Sequence, residues 1–219
     1  MGLVLENVLK TFGAKRAAVT VLDNVSIEID SDETVAIIGV SGCGKTTLLN
    51  IAGGLLRPDA GNVLWDGRPV TDRRRGEFLG FVFQNYSLVD ELNVLENVLF
   101  PMRIQGLTLC KSLAKRLLAA VNLECRADCM PATLSGGEKQ RVAIVRALIG
   151  RPSFVIADEP TGNLDEMTSL QVEELVFDLC KKFGAGLLYA THNPRFALRA
   201  SRLFSISSGR LVEAKKPLE

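Results

Sequence analysis

Residues 39–46 read Gly-Val-Ser-Gly-Cys-Gly-Lys-Thr and fit the pattern G-x-x-x-x-G-K-[ST]. They stand directly after the short apolar run TVAIIG and directly before the helical pattern TTLLNIAGGLL. Few local sequences restrict a fold as tightly. Phosphate oxygens must be reached by several backbone N–H groups at once, and a side chain at Gly42 or Gly44 would block that approach. Lys45 then offers a point charge to β- and γ-phosphates, and the Thr46 hydroxyl can ligate Mg2+. The plain alternative is a glycine-rich strand-to-helix turn with no ligand. A strand before and a helix after are what the nucleotide-binding version requires.

Such a loop needs a parallel sheet behind it. FVIAD at 154–158 and GLLYA at 186–190 are, like TVAIIG, short continuous apolar runs, as expected of strands buried on both faces, and each is followed by a helical pattern. From 19 to 29 the apolar residues alternate as in a half-buried strand, with a break at Asp23-Asn24. LFSI turning at Ser208-Gly209 into RLVEA reads as a β-hairpin. This βα alternation with some antiparallel strands makes the fold class α/β. Between 84 and 151 strand signals largely vanish. ELNVLENVLF and SLAKRLLAAVNL have helical periodicity, and EKQRVAIVRALIG has apolar residues at 142, 145, 148 and 149. The expectation is one domain over 1–219, with 84–151 a helical insertion between sheet-forming parts at 1–83 and 152–219. The tail KKPLE is expected to fray.

Two further constellations carry chemistry. Asp158-Glu159 ends a buried strand, the end beyond which open α/β sheets hold their ligands. An Asp there can hold magnesium, and the Glu can position or deprotonate an attacking water; alone, the pair could equally be solvated or cap a helix. Ser135-x-x-Glu138 is a capping box that opens the next amphipathic helix. Gly136 and Gly137 in its first turn weaken a helix by roughly 1 kcal/mol each relative to alanine, which a mere cap does not need. They permit close approach to exposed N–H groups, where an anion is favoured. One chain thus carries two phosphate-type elements.

The charge balance, 26 Lys+Arg against 25 Asp+Glu, is not that of a chain that coats nucleic acid. The only dense basic run, Arg73, Arg74 and Arg75, reads as a solvated turn. No apolar run reaches the roughly 18–20 residues that cross a bilayer, and Glu6 interrupts any export signal. Five cysteines, an odd number, suit reduced thiols better than a disulfide framework. Cys125 and Cys129 could share a metal, but a single histidine and no second cysteine pair leave no tetrahedral set.

Taken in order, the loop at 39–46, Gln84 in GFVFQ, LSGGEKQR at 134–141, FVIADEP at 154–160, Asp165 in NLD and His192 in ATHN resemble the nucleotide-binding subunit of an ABC (ATP-binding cassette) transporter over nearly the whole chain. The resemblance implies a P-loop NTPase (RecA-like) core with an N-terminal antiparallel β subdomain and an inserted helical subdomain. It implies ATP and Mg2+ as cofactors. Gly39, Ser41, Gly42, Cys43, Gly44, Lys45, Thr46 and Thr47 would cradle the phosphates, with Thr46, Asp158 and Gln84 on the metal. Glu159 would be the catalytic carboxylate, Gln84 a γ-phosphate sensor and His192 a switch contacting the γ-phosphate. Phe12, in LKTFG, matches an adenine-stacking aromatic that is commonly Tyr in the family; the other reading is an ordinary core aromatic. Ser135, Gly136 and Gly137 of one subunit would close over ATP held by the other in a head-to-tail dimer, with Asp165 near the interface.

The stretch EPTGNLD at 159–165 is similar to the subfamily of lipoprotein-release, macrolide-exporter and cell-division ATPases, and 53–61 with 80–104 look most like lipoprotein release. The implied partners are membrane permease subunits and a second copy of this chain, with no nucleic acid. Membrane contact would be indirect, at the cytoplasmic face of the inner membrane. No C-terminal regulatory domain is expected after the His192 segment. Cys43, where Ser is common, would make ATPase activity oxidant-sensitive.

Overall fold

The computed structural model describes residues 2–13, 18–70 and 78–214. The arginine run at 73–75 and the tail at 215–219 lie outside them. Contacts divide the chain into two compact units, Met1–Arg75 with Gly186–Glu219, and Gly76–Ala185. This division does not fall at 84 and 152. The reason is packing: the strand Phe154–Asp158 pairs with Leu79–Val82, and the helix Glu166–Phe183 packs on the helix Gly136–Leu148.

The first unit begins with β1 (Gly2–Phe12) antiparallel to β2 (Val19–Asp30). The break read at Asp23-Asn24 is not a strand end. It is an irregularity in register inside β2, where Asn24 takes a φ of 54°. Asn can adopt this left-handed conformation with less strain than most residues. After β3 (Thr34–Ile38) and α1 (Lys45–Ala52), β4 (Ala60–Trp65) pairs with β1 and with the short β5 (Arg68–Pro69), giving an antiparallel sheet in the order β2-β1-β4-β5. Buried Trp65 anchors it, its indole N–H donating to the Ala52 carbonyl at 3.0 Å.

The second unit opens with β6 (Leu79–Val82). Among the described residues three α-helices follow: α2 (Val94–Ile104), α3 (Lys111–Ala120) and α4 (Gly136–Leu148). Helix α2 starts from an Asn93–Glu96 capping box and runs through Pro101 to Ile104, past the end of the apolar pattern at Phe100. Strand β7 (Phe154–Asp158) pairs in parallel with β6, and α5 (Glu166–Phe183) packs on α4. Helix α4 lies so close to β6 that a Cβ on Gly80 would overlap the Ala147 carbonyl. Gly80→Ala is therefore expected to destabilise the protein by about 1–3 kcal/mol through overpacking, read as a lower urea midpoint. An unchanged midpoint would mean that strand and helix have room to part.

The chain then returns to the first unit with β8 (Gly186–Ala190), α6 (Pro194–Leu198), β9 (Arg202–Ser207) and β10 (Arg210–Glu213). Strand β3 lies between β8 and β9, parallel to both, and β10 pairs antiparallel with β9. Burial of β3, β7 and β8 on both faces is why they read as unbroken apolar runs. Ser208 and Gly209 form the hairpin turn with φ of 50° and 77°, the two positive values a type I′ turn needs.

Candidate functional site

In the first unit the glycine-rich loop leaves β3 at Ile38 and enters α1 at Lys45. Gly42 and Gly44 have φ of 78° and 111°. A Cβ on Gly44 would come within 2.9 Å of Val21 Cγ1 and 3.1 Å of its carbonyl oxygen, so β2 reaches the loop only because the residue is glycine. Nothing lies within 4 Å of a Cβ built on Gly42, an opening a ligand oxygen can use. Helix α1 has neither a side-chain cap nor an acidic residue in its first turn. No side chain caps its first-turn N–H groups, and a helix N-terminus favours an anion. Lys45 is 6% exposed and folds back along the loop, donating to the carbonyls of Gly39 at 2.9 Å and Val40 at 3.2 Å. Thr46 is exposed, while Cys43 and Thr47 are half-buried.

His192 leaves the neighbouring strand at the same edge. Ile37 of β3 is paired with Ala190 of β8, and the Thr191 N–H donates to the Ile37 carbonyl at 3.2 Å. Phe12 ends β1 with 43% of its surface exposed, which sets aside the reading of an ordinary core aromatic. Lys10 Nζ lies 5.5 Å from its ring centroid and is bound to Asp59 at 2.7 Å. That hydrogen bond, with the Thr11 N–H, holds the Asp59 carboxyl below its usual range.

In the second unit Asp158 ends β7 and Glu159 follows in the left-handed region, at φ 44°. A non-glycine residue held there stores strain of about 1–3 kcal/mol and is found mainly where a site over-determines it. The Gly162 N–H closes a turn on the Glu159 carbonyl, at 3.0 Å. A Cβ on Gly162 would stand 2.9 Å from Gln84 Nε2 and 3.3 Å from Glu159 Oε2. Gln84 and Glu159 therefore converge on one small patch of backbone. Asp165 caps α5, accepting from the Thr168 N–H at 3.0 Å. Hydrogen bonds from Thr168, side chain first and backbone next, keep its carboxyl low.

The capping box of α4 is complete: Ser135 N–H donates to Glu138 Oε2 at 2.8 Å and Glu138 N–H to Ser135 Oγ at 3.2 Å. That backbone bond, aided by Arg126, pulls the Glu138 carboxyl below its ordinary value. The two glycines have neighbours inside the chain. Tyr86 Oη would sit 2.8 Å from a Cβ on Gly136, and the Thr168 methyl 2.5 Å from one on Gly137. Their small size is needed for this packing whether or not an anion also approaches.

Several residues of this region were not singled out from the sequence. Arg146 on α4 is 9% exposed, and burial lowers its pKa. Its position, four after Val142 and three before Ile149, puts a cation inside the helix's apolar stripe, and that was a readable signal. Asn163, Tyr86 and Gly162 had no comparable one.

Residues 22–162 match the protein family described as ABC transporter. The lipoprotein-releasing system ATP-binding protein LolD of Syntrophotalea carbinolica is 43% identical over 94% of this chain and 95% of its own length. The LolD of Neorickettsia sennetsu is 44% identical, over 97% and 99%. Among solved structures, a dimeric post-hydrolysis state of the ATP-binding cassette MJ0796 bound to ADP and Pi superposes with a TM-score of 0.88 at 34% identity, covering 97% of this chain and 98% of that one. A second dimeric structure of MJ0796, described as a bacterial ABC transporter cassette, gives 0.87 at 35%, with the same coverage.

Proposed function

The chain belongs to the ABC transporter family, and on that premise we propose that it is the ATP-hydrolysing subunit of a membrane complex that releases lipoproteins from the inner membrane. The observation that carries hydrolysis, beyond nucleotide binding, is the convergence of Glu159 and Gln84 over Gly162 at the end of β7. The LolD relatives support the cargo.

The residues fit the group they would hold. An opening at Gly42 and uncapped N–H groups on α1 suit phosphate oxygens. Thr46, Asp158 and Gln84 offer the hard oxygen donors that Mg2+ prefers. ATP brings the transferable γ-phosphoryl group, and Mg2+ neutralises charge on its oxygens. Lys45 would leave the Gly39 and Val40 carbonyls to meet the β- and γ-phosphates. Glu159 would orient a water and accept its proton, Gln84 and His192 would contact the γ-phosphate and Phe12 the adenine. Ser135, Gly136 and Gly137 of a second copy would complete the site, with Asp165 near the interface; that two copies pair is supported by the dimers of MJ0796. In this reading 1–219 works as one ABC ATPase domain. No described helix is long and apolar enough to cross a membrane. Attachment to the cytoplasmic face would run through a permease.

The test is capture of tagged Glu159→Gln protein from native membranes in ATP and Mg2+, with identification of the bound membrane protein. A permease pair whose loss strands lipoproteins in the inner membrane is expected. A partner tied to cell-wall hydrolases would overturn the cargo in favour of a cell-division role, and a macrolide exporter would overturn it in favour of drug efflux. Recovery of ribosomes or DNA-bound proteins alone would overturn the transporter assignment.

A further inference from the structure

Beyond Gln84 the chain runs through Asn85 into Tyr86 and Ser87, and these last two stand consecutively in the left-handed region, at φ 60° and 48°. Two such residues in a row persist only where their surroundings over-determine them. Those surroundings come from two sides. From α4, Arg146 donates through Nη2 to the Tyr86 carbonyl at 2.7 Å and through Nη1 to the Ser87 carbonyl. From the loop after β7, Asn163 Nδ2 donates to the Gln84 carbonyl at 3.0 Å and to Asn85 Oδ1 at 3.3 Å. Gln84 Nε2 returns a long contact to Asn163 Oδ1 at 3.5 Å. The adjacent Gly162 is the residue over which Gln84 and Glu159 converge.

Filling space does not account for this choice of side chains. Desolvating a guanidinium is costly, and an apolar group of similar volume often packs at least as well. A planar fork aims two N–H donors from separate nitrogens at two successive carbonyls in a fixed geometry; an apolar side chain offers no donor, and a lysine only one nitrogen whose donors rotate. Asn163 is exposed, so burial does not explain its presence either.

We propose that Arg146 and Asn163 are positioning residues for Gln84: Arg146 fixes the backbone just beyond it from the helix that Ser135 caps, and Asn163 fixes Gln84 itself against the loop bearing Glu159. Neither needs to touch nucleotide. Helix α4, Gln84 and Glu159 thereby become parts of one mechanical piece. This rests on the reading of Gln84 as the group that senses the γ-phosphate and magnesium.

The experiment places Asn163→Ala and Arg146→Lys separately in the wild-type chain and in Gln84→Ala. Turnover, ATP affinity and the Mg2+ concentration for half-maximal rate are measured on the purified full chain. Asn163→Ala is expected to lower kcat about five- to tenfold, the worth of one or two neutral hydrogen bonds. It should raise the Mg2+ requirement and leave ATP affinity unchanged. In the Gln84→Ala background the same substitution should do nothing further, because groups acting through one another are not additive. Arg146→Lys should follow the same pattern. Unaltered kcat in Asn163→Ala, or equal fold-losses in both backgrounds, would overturn the proposal and leave the ATPase reading standing. If Arg146→Lys fails to fold, the exposed Asn163 decides alone. A wild-type chain that binds ATP and never hydrolyses it would sink both.

Discussion

Glu159→Gln is expected to keep ATP binding and to lower turnover by about 10²–10⁴, the range a general base contributes. The substitution is nearly isosteric. The amide can still lie beside Gln84 over Gly162, and the backbone at φ 44° meets a side chain of the same shape. What disappears is an oxygen that can accept a proton from water. The β3-to-α1 loop, which would hold the phosphates, is part of the other unit and keeps its own residues. Binding and chemistry should therefore separate: nucleotide titration resembles wild type, single-turnover hydrolysis collapses, and the ATP-bound dimer accumulates on size exclusion. Normal hydrolysis by this variant would remove Glu159 from the role.

Lys45→Ala should do the reverse, weakening ATP binding by about ten- to a hundredfold, the value of a hydrogen bond to a charged group. Two effects add. The ammonium that would meet the phosphates is lost. So are the bonds that now hold Gly39 and Val40 at the loop mouth, leaving two carbonyls to find other donors. Isothermal titration with ATP measures the sum. An unaltered affinity would mean that the backbone N–H groups bind the phosphates unaided, and Lys45 would keep only its work on the loop.

The parts of the fold legible in the sequence are those with a local cause. FVIAD and GLLYA match β7 and β8 residue for residue, because burial on both faces leaves no polar position to blur the ends. The Ser135–Glu138 box and the Ser208-Gly209 turn follow from chemistry spanning two to four residues. Helix α2 outran its pattern because Met102 is buried beyond Pro101, and packing there prevails over the missing N–H. In the candidate site, the residues that would touch nucleotide could be picked out through their glycines and charges. For those that position them, the sequence marks at most Arg146 as a cation in an apolar stripe and nothing of what it binds. Arg146 meets its carbonyls 59 and 60 positions away and Asn163 meets Gln84 across 79, and no periodicity encodes such pairings. The left-handed backbone of Glu159 was equally silent, since it arises from the turn that Gly162 closes.

Strand β3 is flanked by β8 and β9, both drawn from the last part of the chain. A ribosome delivers β3 early and must then make residues 39–185 before either neighbour exists. At about 5–20 residues per second that takes of the order of ten seconds. Throughout that interval a nascent chain carries an apolar strand with both edges open, the template on which one unfinished chain pairs with another. The centre of the first unit is thus the last part to close. Cellular yield of this protein should then depend on what shields Val35, Ala36 and Ile37 during synthesis more than on how stable the finished sheet becomes.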